Sequence, residues 1–296
     1  MPDHLASADA PMRTVRQLLV RQLAKAIAGL RRRDPSDHAV HEARKELKRA
    51  RAALRLLRRC IGDTAYRREN ALIRDAAKPL TPLRDAKVLL ETLRRLEPAA
   101  GTQAAGAWVR HLYGLLQQER RGSRQLRPME LSAAAKALHA VKRRMEGVSD
   151  SRLARASLGA GLKRTYQSGR RAFARVRRDA TDERLHEWRK QVKYFADELD
   201  LALPFVPKLV AKSGKASHRL AERLGDDHDL ALLNDKICRY AKGASAASHK
   251  GGVRELTARL ARRRKTLQAA AHRLGRRLYA PRPRRIWAKL ERSALE

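Results

Sequence analysis

The chain has 296 residues, 68 of them Lys or Arg against 31 Asp or Glu, which sets the formal net charge at +37. With 43% hydrophobic residues it can bury a core, so wholesale disorder is excluded. Charges interrupt every apolar run before the ~18 residues that a membrane span needs.

In chain order nearly every stretch between breakers is rich in Ala, Leu, Arg, Lys, Glu and Gln, with little β-branched alternation. The spacing predicts helices over 15–32, 37–61, 64–78, 82–96, 107–127 and 132–145. In the second half it predicts 152–177, 182–203, 208–224, 229–241, 253–277 and 286–293. Asp37 and Thr181 stand where N-caps belong, and Gly147-Val148-Ser149-Asp150 divides the chain near its middle. The expected fold class is all-α, helical hairpins packed into bundles, in one domain over 12–290 with halves 12–148 and 149–290.

Asp3 and Asp9 fall where a signal peptide would need an apolar run, so secretion is not expected. The two cysteines, Cys60 and Cys238, are far apart and outside any CxxC spacing. They fit a reducing cytoplasm and leave no Cys-based zinc site.

The positive charge is not confined to a tail. Residues 1–148 hold 32 Lys/Arg and 15 Asp/Glu, net +17; residues 149–296 hold 36 and 16, net +20. Charge of one sign spread over a whole fold repels itself, and a polyanionic partner relieves that repulsion.

The chain also repeats itself. Residues 40–48, VHEARKELK, align with 185–193, LHEWRKQVK, so His41, Arg44, Lys45 and Lys48 fall on His186, Arg189, Lys190 and Lys193. At an offset of 144, LTPLRDAKVL from Leu80 aligns with LGDDHDLALL from Leu224, placing Asp85 on Asp229. Two matches at nearly one offset describe a tandem duplication of a helical unit.

On a helical wheel Val40, Ala43, Leu47, Ala50, Leu54, Leu57 and Ile61 form an apolar seam. Opposite it lies a basic stripe of His41, Arg44, Lys45, Lys48, Arg55 and Arg59, with Arg51 adjoining. Leu185, Trp188, Val192, Phe195, Leu199 and Ala202 rebuild the seam, and His186, Arg189, Lys190 and Lys193 the stripe; Asp197 and Asp200 then interrupt it. Like charges at i,i+4 weaken a helix. A face that gathers them therefore suits phosphates, which Arg grips as a fork and Lys as a mobile charge, with histidine as a donor that responds to pH. Aromatic residues make up only 4% of the chain, and no aromatic-basic interleaving suggests base stacking.

The segments VHEARKELKRARAALRLLRR, LHEWRKQVKYFADELDLA, PLRDAKVL and LGDDHDLALL together resemble the marker helices of the CHAD (conserved histidine α-helical domain) family. That resemblance implies two four-helix bundles related by a pseudo-twofold, with basic residues lining a central groove or pore. It also implies non-catalytic binding of inorganic polyphosphate, without a cofactor, and residence on polyphosphate granules in the cytoplasm. Sequence-independent binding of a nucleic-acid backbone, duplex DNA or RNA, is the alternative partner.

Softer candidates are Lys25 and Arg170, 145 residues apart, Arg120 and Arg264, 144 apart, and Arg124, one turn after Arg120. The cluster Asp226-Asp227-His228-Asp229, with Asp85, has ligand types suited to a divalent metal and phosphoryl hydrolysis. The favoured reading is a turn at Gly225 with Asp226 and Asp227 capping the helix that follows. No metal, no catalysis and no membrane span are expected.

Overall fold

The computed structural model describes residues 11–31, 37–96, 103–123, 128–153, 156–243 and 250–280. Among these the helices are α1 Pro11–Leu30, α2 Asp37–Ile61, α3 Asp63–Ala76, α4 Thr81–Leu96 and α5 Gln103–Ser123, then α6 Pro128–Glu146, α7 Ala156–Arg178, α8 Asp182–Ala202, α9 Pro207–Gly243 and α10 Lys250–Tyr279. Two short 3-10 turns, Lys78–Leu80 and Asp150–Arg152, complete the description, and no strand occurs among the described residues. None of the described helices is long and apolar enough to cross a membrane.

Local chemistry accounts for most boundaries. Thr181 caps α8 by accepting the Arg184 backbone N–H at 3.3 Å. Between α2 and α3 the chain turns at Gly62, whose φ of 83° is a region side chains avoid. Pro79 removes a helical donor and separates α3 from α4.

One expected break is absent. The helices expected over 208–224 and 229–241 are a single helix, α9, of 37 residues. Gly225 carries a helix-interior penalty of about 1 kcal/mol relative to Ala, too little to end a helix packed against neighbours along its length. Asp226 and Asp227 are therefore mid-helix residues, not caps. The helix expected over 286–293 lies outside the described residues.

The helices close into three groups. Helices α1, α2, α3 and α6 pack around one another, and α7, α8, α9 and α10 close a second circuit. The two groups meet where α2 lies against α7 and α8, and they share one continuous core, from Leu19, Leu47 and Leu54 through to Tyr166, Trp188 and Tyr279. A third group, not anticipated from the sequence, joins α4 and α5 to the later part of α9 and the earlier part of α10. It has its own core, with Leu93, Trp108, Leu112, Leu233, Ile237 and Leu260.

Both apolar seams face inward. Leu47, Ala50, Leu54 and Leu57 are buried, as are Trp188, Val192, Phe195 and Leu199. Each fully buried Leu contributes on the order of 1.5–3 kcal/mol. Gly161 lets α7 approach α2 closely: a Cβ there would stand 3.2 Å from the Leu56 Cα.

Candidate functional site

From Ala52 to Leu57, α2 is buried on every side, because α7 and α8 cover what the wheel assigned to solvent. This divides the basic stripe in two. His41 and Lys48 are exposed, and Lys45 is half exposed, with its Nζ 3.3 Å from Glu42. Its ammonium, assisted by His38 and His41, holds the Glu42 carboxyl below the ordinary range. Arg44 is half-buried and binds the corner between α3 and α4, its Nη1 donating to Thr81 Oγ1 at 2.9 Å and to the Ala77 carbonyl at 3.3 Å.

Arg51 and Arg55 turn into the structure, whereas Arg59, one turn beyond, is exposed. Arg51 donates through Nε to Asn70 of α3 at 3.0 Å and through Nη2 to the Tyr194 hydroxyl of α8 at 3.4 Å. Arg55, expected on a phosphate-binding face, is buried instead. Its Nε donates to Glu198 Oε1 at 2.7 Å, while its guanidinium lies 3.8 Å from the centre of the Tyr194 ring. Burial raises the Glu198 carboxyl to about 7, even though Arg55 and Thr165 favour its charged form. The other oxygen, Oε2, is buried without a hydrogen bond. An arginine within the apolar run Ala52-Ala53-Leu54-Arg55-Leu56-Leu57 was the signal for such a pair, since a charge there requires a buried acid.

Contacts at Arg51–Tyr194 and Arg55–Glu198 advance four residues on each helix, so α2 and α8 run in the same sense through their junction. Before it lie exposed or half-exposed basic residues of both stripes: His41, Lys45 and Lys48 on α2, and His186, Lys190 and Lys193 on α8. On α8, Lys190 pairs with Glu187, and Lys193 Nζ lies 3.3 Å from Asp197. Burial raises the Glu187 carboxyl, but hydrogen bonds from Lys190 and Gln191 outweigh this and leave it below its usual range. Asp200 turns away to His218 of α9 at 2.8 Å. Arg189 is half-buried beside Gly225, and the His186 ring meets the His228 ring of α9 at 4.7 Å.

The other candidates among the described residues lie on α1, α5, α7 and α10. Lys25 opens on a groove of α1 and α2 lined by His38, Glu42 and Glu46, on the acidic flank of α2. Arg170 is exposed on α7, one turn after Tyr166, and Arg120 is half-buried on α5. Arg124 lies outside the described residues. Arg264 is a pin rather than an open cation: it binds Asp182 at the start of α8, and its Nε donates to the buried Asp227 at 3.0 Å. Burial opposes its charge, but the two acids more than compensate and raise its pKa.

The acidic cluster of α9 disperses around the helix. Asp226 faces Arg95 of α4 at 4.0 Å and Arg223 at 3.8 Å, Asp227 accepts from Arg264 and Gln268, and His228 turns to His186. Among the described residues no group of three or more His, Cys, Asp or Glu is placed to hold a metal ion. A cavity of about 480 Å³ opens between α4, α9 and α10, with Arg95, Asp226, Asp229, Arg259, Arg262 and Arg263 in its walls. Its α10 arginines lie outside the two pairs of matched segments, so the repeat did not single them out.

No curated protein matches the chain. The crystal structure of the CHAD domain from the plant Ricinus communis is similar in fold, with a TM-score of 0.65 at 20% identity, covering 93% of this chain and 94% of that one. A family model described as the CHAD domain matches residues 15–238. With that match spanning most of its length, and with its paired His-Glu-x-Arg-Lys helices inside it, the chain belongs to the CHAD domain family.

Proposed function

We propose that this protein binds inorganic polyphosphate, without catalysis, through the exposed basic segments of α2 and α8. On this reading the halves are a tandem duplication related by a pseudo-twofold. Their basic segments flank a common groove, and the protein resides with polyphosphate granules in the cytoplasm. The observation that carries the proposal is the junction of α2 and α8. It sets His41, Lys45 and Lys48 and their counterparts His186, Lys190 and Lys193 before one crossing, on helices that run in the same sense.

The aromatic residues favour a chain of phosphates over a nucleic acid. Among the described residues no Phe, Tyr or Trp is exposed, and Tyr194 is covered by Arg51 and Arg55. A protein that grips single strands normally offers such rings to the bases.

Competition at fixed ionic strength tests the proposal. Long-chain polyphosphate should displace duplex DNA, and polyphosphates of graded length should bind more tightly until they span both segments. A higher affinity for DNA, or phosphate release from polyphosphate by the pure protein, contradicts it.

A further inference from the structure

The register that pairs Asp229 with Asp85 also pairs His228 with Arg84. A permanent cation in one half is thus replaced in the other by a group that gains or loses its charge near neutral pH. The fold brings this residue to a second histidine. His228 of α9 and His186 of α8 have ring centroids 4.7 Å apart, with planes inclined by 48°. Two imidazolium rings in such contact repel each other.

The surroundings add to that repulsion. Burial first, and then Arg189 and Lys190, hold His186 below the ordinary histidine range, with Glu187 acting in the opposite direction. From α7, Arg175 acts on Glu187. On α9, Asp229 neighbours the pair in sequence, while Asp227 is engaged by Arg264 and Gln268 of α10 and Asp226 faces Arg95 of α4. Asp182, at the start of α8, is likewise held by Arg264. The hydrogen bonds from α2 to α8 lie two turns or more further on, at Tyr194 and Glu198. A neutral imidazole beside two cations is poised to charge when a polyanion arrives.

We infer that His186 and His228 form a proton-coupled phosphate clamp, in which a phosphate chain seated on α8 draws protons onto the pair. The inference rests on the polyphosphate reading and deepens it. The grip of the α8 segment then strengthens as pH falls. Affinity should rise about tenfold for each unit by which binding lifts one ring's pKa, over the interval between its free and bound values.

Calorimetric titration of the full chain with inorganic polyphosphate tests this, in buffers of different ionisation enthalpy at about pH 6.5 and about pH 8. Net proton uptake should accompany binding at the lower pH and disappear at the higher. His228→Gln and His186→Gln should each reduce the uptake and flatten the pH profile, with helical content unchanged by circular dichroism. His228→Arg, which installs the residue found at position 84, should keep tight binding while removing most of the pH dependence. Tight binding with a flat profile, or uptake undiminished in both glutamine variants, overturns this inference alone. No binding of polyphosphate at any pH overturns the functional proposal as well.

Discussion

Up to Lys48 on α2 and Lys193 on α8 the two helices carry the same His, Glu, Arg, Lys and Lys at matching positions. Beyond those points α2 continues with Arg51 and Arg55, whereas α8 supplies Tyr194, Asp197 and Glu198. The departure is the joint itself: the arginines of one helix meet the ring and carboxylate of the other. Had both helices kept the basic pattern, the crossing would have buried like charges together, a cost of several kcal/mol per unpaired ion. Loss of symmetry in the second part of the stripe is what lets the two helices meet there without burying like charges together.

Removing one partner of the buried pair should give the largest effect. Glu198→Ala or Arg55→Ala should destabilise the fold by about 3–5 kcal/mol, since each leaves its partner buried without a counter-charge. Replacing both by apolar residues of similar volume, Arg55→Met with Glu198→Leu, should recover most of the loss in chemical denaturation. If the single variants are as stable as the parent, the junction is not where the halves are held.

The same carboxyl imposes a pH dependence of stability. Its folded pKa of about 7 lies above the usual glutamate value, so the folded state binds a proton more tightly than the unfolded chain does. The resulting stabilisation is complete below the ordinary glutamate pKa and is lost as pH rises through about 7. Melting temperatures measured across this interval should fall toward higher pH in the parent, and Glu198→Gln should reduce that fall.

A smaller free-energy change is expected from the exposed lysines, read in binding rather than in stability. Lys45→Ala with Lys48→Ala should weaken polyphosphate binding about tenfold or more and lower its salt dependence by roughly one unit of slope per lost contact. The corresponding change at Lys190 and Lys193 should cost less, because Lys190–Glu187 mirrors Lys45–Glu42 while Asp197, which pairs with Lys193, stands where α2 has Ala52. Equal losses in the two pairs would mean that the acidic neighbours of α8 do not tune binding. Lys25→Ala, on the acidic flank of α2, should change affinity by no more than about twofold in the same assay.

Much of this was legible before any coordinates. The helical class, the seams and the repeat depend on residue spacing, and both seams are buried where the wheel puts them. The conversion of Arg55 and Arg264 from expected ligands to internal pins was less legible, because exposure depends on which distant helix lies over a face. Glu198 is 143 residues from Arg55, and Asp182 is 82 residues from Arg264, separations that no local pattern encodes. The continuity of α9 was hidden for a similar reason: glycine lowers helix propensity locally, while packing on α4, α8 and α10 stabilises the helix from outside.

By itself, then, the sequence determined the helices, their buried sides and the two matching basic motifs, all properties of neighbours three or four positions apart. Only the tertiary structure decided which cations remain in water and which are neutralised inside. Desolvation of a charge depends on every chain segment within a few ångströms, and those segments are distant in sequence, from the same half for Arg264 and from the other half for Arg55.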